Sequence, residues 1–77
     1  MKTIWIFYVD DKYILSSDQE ETLEEFLNIY TPIIYDILSE ESEEKANRVI
    51  SKISNRDFGL YSSIVEDIEE IEITVED

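Results

Sequence analysis

Residues 70–76 read Glu-Ile-Glu-Ile-Thr-Val-Glu. Strict alternation of apolar and polar residues has the period of a strand with one buried face. It turns Ile71, Ile73 and Val75 inward and Glu70, Glu72, Thr74 and Glu76 outward. Such a strand needs neighbours, and the other end of the chain supplies one. Residues 3–9, Thr-Ile-Trp-Ile-Phe-Tyr-Val, are β-branched and aromatic throughout. Ile4, Ile6 and Tyr8 would line one face, and Trp5, Phe7 and Val9 the other. Two apolar faces suit a central strand, or one whose second face is covered by a partner.

Between these two strands the pattern changes. Asp10-Asp11 reads as a turn, because Asp tolerates the left-handed conformation, and Lys12-Tyr13-Ile14-Leu15 returns as a second strand. Ser17 with Glu20, or Asp18 with Glu21, has the spacing of a capping box. Leu23, Phe26, Leu27, Tyr30, Ile34, Ile37 and Leu38 then recur at helical intervals. Pro32 lacks an amide donor and clashes with the preceding turn. Either one helix kinks there or Thr31 caps a second, and the reading leans towards two segments, 18–30 and 32–39. Ser42 caps a further helix over 43–54, with Ala46, Val49, Ile50 and Ile53 as its buried stripe. Glu41 and Glu44 stand four residues before Lys45 and Arg48, the favourable orientation for ion pairs. Asn55 or Gly59 ends this helix. Phe58, Leu60, Tyr61, Ile64, Val65 and Ile68 read as a short helix or a packed loop. The expected fold is therefore α+β: an antiparallel or mixed three-stranded sheet, N-terminal hairpin plus C-terminal strand, with two to three helices on one face in the order ββα(α)αβ.

Composition excludes several function classes. The 77 residues fit one domain, 1–77, and hold 20 acids and 6 bases, for a net charge of −14. No Cys and no His are present. Thiolate zinc sites, disulfides, cysteine nucleophiles and imidazole bases are thereby removed. The single glycine, Gly59, cannot build a phosphate-cradling loop. No Ca²⁺ loop of the DxDxDG type exists near Asp10-Asp11 or Glu66-Asp67. Paired carboxylates can act as acid and base, but these lie in exposed runs without apolar neighbours to shift them. The expectation is a non-catalytic protein without cofactor or metal. The apolar run 4–9 is too short for a secretory leader and ends in Asp10-Asp11, and no stretch reaches the length of a membrane span. A cytoplasmic location, in a bacterium or an infected host, is expected.

The charge is the strongest remaining clue. Small soluble domains need a net charge of about 2–8 in magnitude, and more costs stability through self-repulsion. A globule of this length spans roughly 30 Å, which gives about one net charge per 2 Å. Duplex DNA carries one per about 1.7 Å. The same charge repels phosphates, so direct binding to nucleic acid or to an anionic membrane is not expected.

In size, charge and composition the chain resembles phage-encoded inhibitors of restriction enzymes, CRISPR effectors and DNA-repair enzymes, although no motif assigns it to one such family. The resemblance implies an acidic mimic of nucleic acid that fills the basic groove of a DNA- or RNA-binding enzyme. The expected contact carboxylates are Glu20, Glu21, Glu24 and Glu25 on the first helix, Glu40, Glu41, Glu43 and Glu44 at the junction, and Glu69, Glu70, Glu72 and Glu76 in the tail. Trp5, Tyr8, Tyr13, Tyr30, Tyr35 and Tyr61 are candidate anchors. Reversing Glu20 and Glu24 to Lys should spare the fold and weaken binding. The alternative is an immunity protein or antitoxin that neutralises a basic nuclease, with its charge gathered around an aromatic. A homodimer built on strand 3–9 is a further expectation.

Overall fold

A computed structural model of the chain describes residues 1–20 and 22–77. Its elements are β1 (Lys2–Val9), β2 (Lys12–Ser17), α1 (Leu23–Ser39), α2 (Glu43–Ser54), β3 (Gly59–Val65) and β4 (Ile68–Val75). The order is ββααββ, and the sheet has four strands in the order β2-β1-β4-β3. β1 pairs with β4 in parallel, from Lys2 opposite Ile68 to Val9 opposite Val75. The outer pairs, β1–β2 and β3–β4, are antiparallel. The α+β class and the mixed sheet match expectation, while the strand count does not.

The inner positions of β1 and β4 build the core. Trp5, Phe7, Val9, Ile73 and Val75 are buried against Phe26, Leu27, Ile34 and Leu38 of α1 and Ala46, Val49 and Ile53 of α2. Trp5 stacks on Phe26 with ring centroids 6.0 Å apart, and Phe26 meets Tyr30 at 5.0 Å. Such pairs contribute beyond the area they remove from water. β1 is central, with β2 and β4 paired along its two edges, and its second apolar face, Ile4, Ile6 and Tyr8, is half-buried on the side away from the helices.

Three expectations are corrected. Residues 59–65 form a strand, not a helix or loop, and the Glu66-Asp67 turn returns it into β4. Both hairpin turns are made of acids in the left-handed region: Asp10 (φ 51°) and Asp11 (φ 64°), then Glu66 (φ 50°) and Asp67 (φ 66°). Two consecutive positive φ angles are what a two-residue hairpin turn with the right-handed strand twist requires. Second, Pro32 lies inside one continuous helix, α1, not at a break. Its ring and missing donor cost a helix interior about 3 kcal/mol; packing of Phe26, Leu27, Ile34 and Leu38 on either side offsets that. Third, α1 starts at Leu23, five residues later than read. Thr22 is its N-cap and accepts from the Glu25 amide at 3.1 Å. Ser17 is not a cap, because it ends β2.

α2 matches its expected span, with Ser42 as N-cap accepting from the Lys45 amide. Its end is a Schellman turn. The Asp57 amide donates to the Lys52 carbonyl and the Arg56 amide to that of Ile53. Arg56 takes the left-handed position (φ 57°) usually held by glycine.

Candidate partner-binding surface

The helices cover one face of the sheet, and pairing register assigns the residues of the other. Across the centre, Ile4 lies beside Glu70, Ile6 beside Glu72 and Tyr8 beside Thr74. On the far side of β4, Ser63 lies beside Glu70 and Tyr61 beside Glu72. Tyr13 of β2 faces Tyr8 edge-on at 6.2 Å. Glu70 and Glu72, two residues apart and so about 6.6–6.8 Å apart along the strand, are thus bracketed by Ile4 and Ile6 on one side and Tyr61 on the other. Their cross-strand neighbours include no base. The outward orientation of Glu70 and Glu72 is as the alternation predicts. Glu69 instead turns to the helix side and accepts from the Ser62 hydroxyl at 3.0 Å.

The other expected carboxylates separate into different environments. Glu20 is buried at 7% exposure. Its carboxylate accepts from the Ser17 hydroxyl, which in turn accepts from Tyr30 Oη, and its carbonyl accepts from Trp5 Nε1 at 3.0 Å. Glu20 thus ties the segment between β2 and α1 to the core and is not presented to a partner. Glu24 is exposed but gripped by Arg56 through two bonds, 3.2 and 2.6 Å. Glu25 accepts from the Thr22 hydroxyl at 2.9 Å. Glu21 lies outside the described residues. Reversal of Glu20 and Glu24 would therefore damage the fold, contrary to expectation.

Glu40, Glu41, Glu43 and Glu44 are all exposed at the α1–α2 junction. Glu43 and Glu44 occupy the first turn of α2, where a negative charge is stabilising. Glu40 is the C-cap of α1, whose last turn has no base. A negative charge there opposes the helix dipole of α1. Glu76 is exposed just past β4.

Five of the six bases are occupied elsewhere. Lys2 pairs with Asp18 (2.7 Å), Lys45 with Asp10 (3.6 Å), Arg48 with Asp77 (2.7 Å), Lys52 with Asp57 (3.7 Å) and Arg56 with Glu24 (2.6 Å). The expected Glu41–Lys45 and Glu44–Arg48 ion pairs do not form; Lys45 and Arg48 reach across to Asp10 and Asp77 at the sheet ends instead. Hydrogen bonds from the Arg48 guanidinium hold the Asp77 carboxyl below its usual range, against the opposing effect of desolvation. The Lys2 ammonium does the same for Asp18. Among the described residues, five of the six bases are thus committed, and of the eleven expected contact carboxylates described only Glu24 is paired with one.

Of the candidate anchors, Trp5 is core, and Tyr30 and Tyr35 pack against the core. Tyr13 and Tyr61 are exposed on the open sheet face, with Tyr8 half-buried between strands. Ile37, read as part of the apolar stripe of α1, is instead exposed, in line with Ile29 and Ile33 on the outer side of the helix.

The molecule measures 39 × 21 × 21 Å. Dividing 39 Å by the 14 net charges gives about 2.8 Å per charge along the long axis. That is sparser than the expected 2 Å, because the molecule is longer than a sphere of its size. Among the described residues no helix is long and apolar enough to cross a membrane, and no three acids are grouped to hold a metal ion. No family model matches the chain, and no curated protein or solved structure matches it either.

Proposed function

We propose that this protein is a non-catalytic acidic inhibitor that occupies the basic groove of a nucleic-acid enzyme such as a CRISPR effector, restriction enzyme or repair enzyme. The supporting observation is where the charge is left uncompensated. Five of the six bases are tied to Asp10, Asp18, Glu24, Asp57 and Asp77, while the carboxylates of Glu40, Glu41, Glu70 and Glu72 make no ion pair and cap no helix among the described residues, although Lys12 and Lys45 line the same cleft as Glu40 and Glu41. Glu40 sits where its charge weakens the fold, and Glu70 and Glu72 repel each other on one face. Carboxylates held at a cost to stability are well placed to pair with the Arg and Lys that grip phosphates. A net charge this large also speeds encounter with a basic cleft, and screening by salt weakens that attraction.

A second reading has its own support. Glu70 and Glu72 lie among Ile4, Ile6, Tyr8 and Tyr61, which is charge gathered around aromatic anchors. This is the arrangement suited to an immunity protein that binds one basic nuclease. The experiment that separates the two is capture of enzymes from a bacterial lysate on immobilised protein, with and without excess sheared DNA. Retention of a nucleic-acid enzyme that DNA displaces supports the groove mimic. Retention of a single nuclease regardless of DNA supports the immunity reading.

A further inference from the structure

The two edges of the sheet are not alike. β2 carries Lys12 and a register shift opposite Phe7–Tyr8. A bulge and a lysine are both devices that keep an edge from pairing with another chain. β3 has neither. Its seven residues, Gly-Leu-Tyr-Ser-Ser-Ile-Val, contain no charge and no proline, in a chain of which 34% is charged. They pair with β4 in unbroken register from Gly59 to Val65, which leaves the outer row of backbone donors and acceptors free. The side chains are open on both faces. Leu60 (49%) and Ile64 (60%) turn to the helix side, beyond the reach of the helices, and Tyr61 and Val65 are exposed on the other.

We propose that β3 is the contact between two copies of this chain, paired antiparallel about a two-fold axis at Ser62, so that two four-stranded sheets join into one of eight. Two arguments favour a second copy over any other strand. The first is self-complementarity, which a two-fold interface demands. Pairing about Ser62 sets Leu60 against Ile64 of the second copy, twice, on the helix side. On the open side it sets Gly59 against the second copy's Val65, and the Tyr61 ring, which leans over Gly59 within 3.1 Å of where a Cβ would stand, meets that valine. The second argument is charge. Two chains of −14 repel wherever their acids meet, and β3 is a continuous uncharged edge on which they can approach. The nearest charges, Asp57 and Glu66-Asp67, flank its ends and face each other in this register. Added salt therefore strengthens the dimer, the reverse of its effect on a basic partner.

The test is sedimentation equilibrium of the full chain at low and high salt. A monomer–dimer equilibrium is expected, with the dimer favoured at high salt. Leu60→Glu and Ile64→Lys, the latter opposite Glu69 within its own sheet, each place a charge into an apolar contact that occurs twice. Each should weaken dimerisation by about tenfold or more. Both sites are exposed in the single chain, so the fold has no reason to fail. The two substitutions combined in one chain set opposite charges across both contacts, and dimerisation should recover. A monomer at all salt concentrations overturns the proposal. So does a dimer that neither single variant weakens, or one that the double variant fails to restore.

Discussion

Asp10 and Asp11 occupy equivalent strained positions in one turn, yet only one of them has a compensating bond. The Asp10 carboxylate accepts from the Asp77 amide at 2.8 Å and pairs with Lys45. Asp11 makes no hydrogen bond or ion pair among the described residues. A left-handed residue with a Cβ costs about 1 kcal/mol relative to glycine. Asp11→Gly should therefore stabilise the fold by about 0.5–1 kcal/mol, read from urea denaturation. Asp67→Gly should do the same, because Lys2 bonds the Asp67 backbone and not its side chain. Asp10→Gly should gain less or lose. The Asp10-Asp11 turn was legible because an Asp pair between two apolar runs is a turn signal. Glu66-Asp67 was not, since Glu is rarely found in such turns. At Glu20 the capping spacing to Ser17 was real, but it reported a buried side-chain bond and not a helix start.

Among the elements, α1 is the one at odds with its own sequence. Pro32 stands in the middle of a 17-residue helix and is exposed. Pro32→Ala restores a donor for the Asn28 carbonyl and removes the ring clash. It should stabilise the protein by about 1–3 kcal/mol, a rise of several degrees or more in melting temperature. An unchanged melting temperature would show that the helix is already relaxed around the ring. The phase of α1 was readable through the proline, since Leu23, Phe26, Leu27, Tyr30, Ile34 and Leu38 keep one stripe on both sides, although Ile37, read with them, lies outside it and is exposed. β3 was not readable. Phe58, Tyr61, Ile64, Val65 and Ile68 fall at intervals of three and four, which mimics a helix. An edge strand that no layer covers has no buried face to impose the alternation that made β4 plain.

For the whole molecule, charge sets the predictions. Lowering the pH from 7 towards 5 begins to discharge a chain with 20 acids and 6 bases, and relief of self-repulsion should raise the melting temperature. At lower pH the trend reverses. Asp77 and Asp18 have depressed folded-state pKa values, so their contribution is full above the ordinary aspartate range and is lost as pH falls through those values. Thermal melts across pH should show a maximum on the acid side of neutrality. Charge reversal tests the contact surface. Glu40→Lys with Glu41→Lys should keep the melting temperature unchanged or slightly higher, because a base suits the end of α1, and should weaken partner binding at least about tenfold. Glu70→Lys with Glu72→Lys tests the open sheet face in the same assay, and intact affinity in both double variants would remove the inhibitor reading. The contact surface was partly legible. Strand alternation placed Glu70 and Glu72, and the junction run placed Glu40 and Glu41. The removal of Glu20 depended on tertiary bonds to Ser17 and Trp5, which no local spacing records.

The parallel pairing of β1 with β4 also governs when the molecule can form. Lys2 and Ile68, neighbours in the sheet, are separated by most of the chain. Contacts of such long sequence separation slow folding, because the intervening loop must be closed before they contribute. During synthesis β1 emerges first, with Trp5 and Phe7 on one face and Ile4 and Ile6 on the other. Only β2 can pair with it until β4 has left the ribosome. The nascent chain therefore passes through a stage in which its most apolar strand has an open edge, and the acids that surround it then serve the growing polypeptide as a guard against clumping.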